Sequence, residues 1–240
     1  MCIRDSLDTM NCCLFDVAAV LSGGFEMGNV WYNEPKTLDT AFDVMGDIIL
    51  STAAQQYGGF TVPEVDKILA PYAKKSYDKY ISEFMKYSDE SWSGREERAI
   101  EYALDKVRRD YDQGWQGIEY KLNTVGSSRG DYPFVTVTLG LGTEQFEKMC
   151  TISLLEVHQG GQGKAGHKKP VLFPKIVFLY DKEIHGPGKC CEDIFEAGVE
   201  CSSKTMYPDW LSMSGAGYIS SMYRNCLLYT SPSPRDRQKS

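Results

Sequence analysis

Two adjacent thiols, Cys12 and Cys13, are the side chains best suited to chemistry. They follow Asn11 and open the run Leu14-Phe15-Asp16. A thiol can give up a proton or a hydrogen atom near neutral pH, provided its setting is accessible and electropositive. A buried cysteine is otherwise a small apolar side chain. The residues alone leave both readings open. An extended backbone here would turn the two thiols to opposite faces.

Two glycine motifs invite a nucleotide reading. Gly161-Gln162-Gly163-Lys164-Ala165-Gly166 spells GxGxxG. A dinucleotide fingerprint follows a strand and opens a helix, whereas this one follows a helical pattern and leads into a strand. It also lacks the Lys-Ser/Thr ending of a phosphate loop, so a flexible basic loop is expected. Gly140-Leu141-Gly142-Thr143 stands between a strand pattern and a helix pattern, where backbone N–H groups can meet an anion. A tight turn with Thr143 as helix cap explains the same letters and is the preferred reading. Arg129-Gly130-Asp131 reads as a turn.

The other cysteines do not form a framework. Cys12-Cys13 and Cys190-Cys191 are adjacent pairs, and Cys150 and Cys201 fall inside helical patterns. Mostly free thiols in a reducing cytosol are expected. His158, His167 and His185 have no metal-ligand spacing with the cysteines, so no metal site is expected.

The elements that must position these groups alternate between helix and strand. Cys12–Leu21 reads as a buried strand or the start of a short helix, and Val30-Trp31-Tyr32 as extended. Ala41, Met45, Ile48, Ile49 and Thr52 mark a helix over Thr37–Gln56. Val65, Ile68, Leu69, Tyr72, Ser76, Tyr80 and Phe84 mark a second helix that Pro71 should kink or start. Ser93-Gly94-Arg95-Glu96 reads as a capping box, opening a third helix with Ile100, Leu104, Val107 and Tyr111 on one face. Tyr132–Leu139 is a strand, Thr143–Val157 a helix, Val171–Tyr180 an apolar strand broken by Pro174, and Glu192–Lys204 a helix. This alternation favours a parallel α/β fold.

Composition is that of a globular chain: 240 residues, 42% hydrophobic and 25% charged. A formal charge of −7 argues against a dedicated nucleic-acid binder. No apolar run reaches membrane-spanning length. Residues 1–6 and 226–240 look foreign, and the Ser-Pro-Ser-Pro stretch from Ser231 has no apolar period.

Taken in chain order, Asn11–Asp16, Ser22-Gly23-Gly24, Tyr57-Gly58-Gly59, Arg129–Thr136, Leu172-Phe173-Pro174-Lys175 and Met206-Tyr207-Pro208-Asp209 resemble the catalytic subunits of the anaerobic (class III, glycyl-radical) ribonucleotide reductases. The resemblance runs from about Leu7 to Asn225. It implies an α/β fold forming part of a ten-stranded α/β barrel, with a large helical layer between Thr37 and Tyr120. Residues 7–225 would be one incomplete catalytic domain.

The resemblance also implies roles. The family converts ribonucleoside triphosphates to deoxyribonucleoside triphosphates by radical chemistry. Cys12 matches the cysteine that faces the ribose and protonates the departing 2′-hydroxyl, and Cys13 is read as structural. Asn33, Lys36, Asp47 and Lys79 match positions that bind a deoxynucleoside triphosphate or ATP effector at a homodimer interface. Asn33 and Asp47 stand where relatives often have an acid and an amide. The family draws on a glycyl radical, a thiyl-forming cysteine in a Pro-Met-Gly-Cys-like turn, formate as reductant and a radical-SAM activating enzyme. Neither the turn nor the radical motif occurs in this sequence, and the ATP-binding region and four-cysteine zinc site are also missing. An internal fragment, cytoplasmic and inactive by itself, is therefore expected. Another glycyl-radical enzyme and a nucleotide-binding regulatory module without catalysis are the alternatives.

Overall fold

The computed structural model describes residues 13–55, 59–90, 92–126 and 132–214. Five parallel strands make the main sheet: β1 (Cys13–Leu14), β4 (Phe60–Val62), β5 (Val135–Leu139), β6 (Lys175–Tyr180) and β7 (Asp209–Ser212). They lie side by side in chain order. An antiparallel hairpin, β2 (Phe25–Met27) with β3 (Val30–Tyr32), stands apart, and the Phe25 and Tyr32 rings stack 4.8 Å apart.

Chain-order winding has a geometric consequence. Parallel crossovers are almost always right-handed, so strands added successively on one side place their helices on one face. Exposure follows that rule. Phe60, Val62, Val135, Val137, Leu139, Ile176 and Phe178 alternate along their strands and are buried in the core. On the other side Thr61, Thr136, Lys175 and Val177 are only half-buried, whereas Thr138 and Leu179, farther along that side, are buried. Register puts Leu14 beside Thr61, Thr61 beside Thr136 and Thr136 beside Lys175, one row across the uncovered face.

The helices are α1 (Val17–Gly23), α2 (Leu38–Gln55), α3 (Val65–Tyr87), α4 (Arg95–Thr124), α5 (Gln145–Gly160), α6 (Lys182–His185) and α7 (Glu192–Thr205). α2 forms because Leu38, Ala41, Met45, Ile48 and Ile49 recur at helical spacing and are buried. Its free first-turn Leu38 N–H donates to the buried Ser76 Oγ of α3 at 2.8 Å, which fixes the two helices against each other. α3 begins before Pro71 and continues through it. Pro71 therefore does not mark the start, and its exposed ring forgoes one backbone bond in the second turn.

Three expectations need correction. α4 is not opened by a capping box: Gly94 is the N-cap, at φ 70°, with no side-chain cap. The left-handed glycine itself turns the chain into the helix, leaving Ser93 one residue too early. The buried stripe of α4 is Ala99, Ala103, Val107, Tyr111, Trp115, Ile118 and Leu122, while Ile100 is 45% exposed. Small alanines face the neighbouring helix, and Ile100 lies one position out of phase. α5 is capped by Glu144 rather than Thr143, in a reciprocal capping box with Glu147. Three short elements carried no period to read: β4, α6 and β7. β6 starts only after Pro174, which follows a cis peptide bond.

Candidate functional site

Ligands of parallel α/β sheets gather at the carboxyl ends of the strands. Here the turn after β5 is already filled. The N–H groups of Gly140 and Gly142 donate to Asp66 Oδ2 at 3.0 and 3.2 Å, and the Thr151 hydroxyl lies 3.4 Å from the same oxygen. Asp66 is fully buried in the first turn of α3. The turn is thus an anion site whose anion is a side chain of this chain, in agreement with the structural reading of Gly140–Thr143. Burial pushes the Asp66 carboxyl up to about 6, against the opposing pull of the Gly140, Lys67 and Gly142 N–H groups.

His185 closes the next turn. Its Nδ1 accepts the Asp181 N–H at 2.9 Å, so Nε2 carries the proton and donates to the Gly140 carbonyl at 2.7 Å. Burial holds its pKa below the usual histidine value despite both backbone bonds. A neutral imidazole therefore ties the carboxyl end of β5 to that of β6. Sequence reading missed Asp66 and His185. Asp66 did have a signal, an acid in the first turn of an apolar helix.

The GxGxxG segment follows α5 as expected and folds back through paired N–H···O bonds between Gln162 and Lys169, both 2.9 Å. A buried polar group anchors it. His158 Nδ1 lies 3.0 Å from Glu119 Oε1, both residues are buried, and the Gln162 amide donates to Glu119 Oε2. Since a carboxylate only accepts, the histidine ring donates. Asn123, at the end of α4, similarly holds the turn before β6. Its amide donates to Phe173 O, and its oxygen accepts from Leu172 and Phe173 N–H.

The four effector candidates lie along one segment and the two helices beneath it. Asn33 and Lys36 are exposed in the link from β3 to α2. At one end of this link the Tyr32 hydroxyl donates to Asp47 Oδ2 of α2 at 3.4 Å. At the other, Lys75 of α3 binds the Glu34 carboxylate at 2.5 Å and the Pro35 carbonyl at 3.3 Å. Lys79 follows Lys75 by one helical turn on the same face. Its ammonium stands 3.9 Å from Glu83 and 5.7 Å from the centre of the Tyr80 ring, and Asp39 and Asp110 both feel its charge. Lys79 is therefore a cation among carboxylates. Cys12 lies outside the described residues. Cys13 begins β1, and Leu14, 42% exposed, belongs to the row on the open face.

A consecutively wound parallel α/β domain with helices on one face and an open, threonine-lined row on the other is the scaffold these observations define. The family model described as anaerobic ribonucleoside-triphosphate reductase matches residues 4–238, and the chain belongs to that family. It is 36% identical to the anaerobic ribonucleoside-triphosphate reductase of Enterobacteria phage T4 over 211 residues, covering 86% of this chain and 33% of that one. It is also 36% identical to the Escherichia coli (strain K12) protein of the same name over 203 residues, covering 84% of this chain and 27% of that one. The chain thus spans about a third or less of these relatives' length. Among solved structures, it resembles the Thermotoga maritima anaerobic ribonucleotide reductase with dATP bound in the specificity site. The TM-score is 0.62 at 14% identity, covering 89% of this chain and 35% of that one. The same enzyme in complex with dATP and CTP matches at 0.57 and 12% identity, over 86% and 33% of the two chains. At such identities the likeness concerns the fold. No helix among the described residues is long and apolar enough to cross a membrane.

Proposed function

We propose that this chain is a stretch of the catalytic subunit of an anaerobic ribonucleoside-triphosphate reductase, and that the longer protein replaces the ribose 2′-hydroxyl with hydrogen. The family match across residues 4–238 carries this reading. Residues 7–225 are taken as the working part of an incomplete catalytic domain. Cys12 is assigned the proton donor to the departing 2′-hydroxyl. The support is the alternation of a strand: Leu14, two positions on, lies in the open-face row. Cys13 is assigned a structural role. The glycyl radical, formate and the activating enzyme are assigned to the longer protein in solution.

Asn33, Lys36, Asp47 and Lys79 are assigned to a triphosphate effector. The carboxylates around Lys79 would repel a triphosphate unless further cations join, which fits a site completed by a second copy of the chain. The test is deoxynucleotide formation by the full-length protein with its activating enzyme and formate, beside the 240-residue chain alone. The full-length protein should turn over, the chain alone should not, and Lys79→Ala in full length should raise the effector concentration needed by tenfold or more. Turnover by the isolated chain, or a Lys79→Ala protein with unchanged effector response, would sink the corresponding assignment.

A further inference from the structure

Cys190 and Cys191 sit at the start of α7 with their sulfurs 3.6 Å apart. They differ in setting. Cys190 is exposed and Cys191 is buried. The Cys191 sulfur lies 3.6 Å from the Gly142 carbonyl, on the turn that Asp66 fills. Lys148 of α5 clasps the same corner, donating to the Cys190 carbonyl at 2.8 Å and pairing with Asp193 at 2.7 Å. An accessible thiol beside a sheltered partner is the arrangement in which an oxidised sulfur is captured before it oxidises further.

We propose that Cys190 and Cys191 form a redox-modification site that takes a hydroperoxide and closes to a vicinal disulfide. The Cys190 thiol attacks the peroxide oxygen, giving a sulfenic acid and releasing water or an alcohol. The Cys191 thiol then attacks that sulfur, forming the S–S bond and releasing water. Two thiols are oxidised, and one peroxide is reduced. The link is strained: adjacent Cα atoms lie about 3.8 Å apart across a trans peptide, nearer than most disulfides allow. Strained bonds reduce easily, so closure should be reversible by mild thiols. Closure also moves Cys191 away from Gly142 and turns the peptide that Lys148 holds. The effect therefore reaches the turn at the carboxyl end of β5. The Cys191 thiol resists ionisation, pushed up to about 12 by desolvation with Cys190 adding to the effect, and the exposed Cys190 is the thiol that meets the peroxide first.

The experiment treats the folded chain with hydrogen peroxide at low equivalents, then alkylates the remaining thiols. Glutamyl endopeptidase releases both cysteines on Ile184–Glu192, apart from Cys201. That peptide should lose two hydrogens, resist alkylation and recover fully with dithiothreitol. Cys190→Ser should abolish the loss. Cys191→Ser should leave Cys190 as sulfenic acid, trapped by dimedone. Because Cys190 is exposed, its serine variant should fold normally, and circular dichroism checks this. Oxidation of Cys190 to sulfinic or sulfonic acid with Cys191 still alkylatable in the wild-type chain would overturn the proposal. So would pairing of Cys190 with a different cysteine.

Discussion

At the scale of single residues, the turn after β5 shows how far letters alone can carry a site. Gly140 and Gly142 announced a backbone able to hold an anion, and the anion is Asp66, 74 residues away. Local spacing cannot reveal a partner that only folding delivers. The consequence is measurable. With a folded pKa near 6 and an unfolded one near 4, Asp66 binds more proton in the folded state between those values. Its contribution to stability is therefore largest below about pH 4, falls as pH rises towards 6, and is flat above. The span is on the order of 3 kcal/mol. Asp66→Asn retains one acceptor for the Gly140 and Gly142 N–H groups and has no charge to bury. Urea unfolding from pH 4.5 to 7 should show the wild type losing stability relative to Asp66→Asn as pH rises. Parallel curves would refute it. Asp66→Ala should cost about 2–4 kcal/mol near pH 4, because two buried N–H groups lose their acceptor, and the cost should shrink as pH rises towards 6.

At the scale of elements, the long stripes were legible and the short pieces were not. α2 and α7 stand within about a residue of where their periods placed them. β4 and β7, three and four residues long, are strands because longer neighbours recruit them into a parallel ladder. The α4 stripe was read correctly at Val107 and Tyr111 but one position out of phase at Ile100 and Leu104, because the buried Ala99 and Ala103 bring little hydrophobic signal. The same helix offers a paired test. A side chain on Gly114 would fall inside the Phe42 ring, which is braced edge-on by Tyr111 and Trp115. Gly117 has open space. Gly114→Ala should therefore destabilise the chain by about 1–3 kcal/mol through overpacking, whereas Gly117→Ala should stabilise it by up to about 1 kcal/mol through helix propensity. Thermal unfolding of the two variants decides it, and equal shifts would contradict the α2–α4 packing described here.

At the scale of the whole molecule, chain-order winding of five parallel strands leaves a part-exposed row from Leu14 to Lys175 on one sheet face, and a family match spans nearly the whole sequence. The motif order carried the family and the α/β class. The site residues are a different matter: Cys12 lies outside the described residues, and Lys79 stands among acids of which helical spacing announced only Glu83, while Asp39 and Asp110 arrive through folding. The central proposal is that Cys12 is the proton donor to the departing hydroxyl and that Cys13 has a structural role. It is tested most directly by kinetics on two single variants of the full-length protein. Cys12→Ser should abolish deoxynucleotide formation while leaving the fold and effector binding intact, since a hydroxyl gives up its proton far less readily than a thiol. Cys13→Ser should retain most turnover and cost about 1–3 kcal/mol of stability, the range for trading a structural thiol for a more polar hydroxyl. Full activity in Cys12→Ser, or loss confined to Cys13→Ser, would contradict the account.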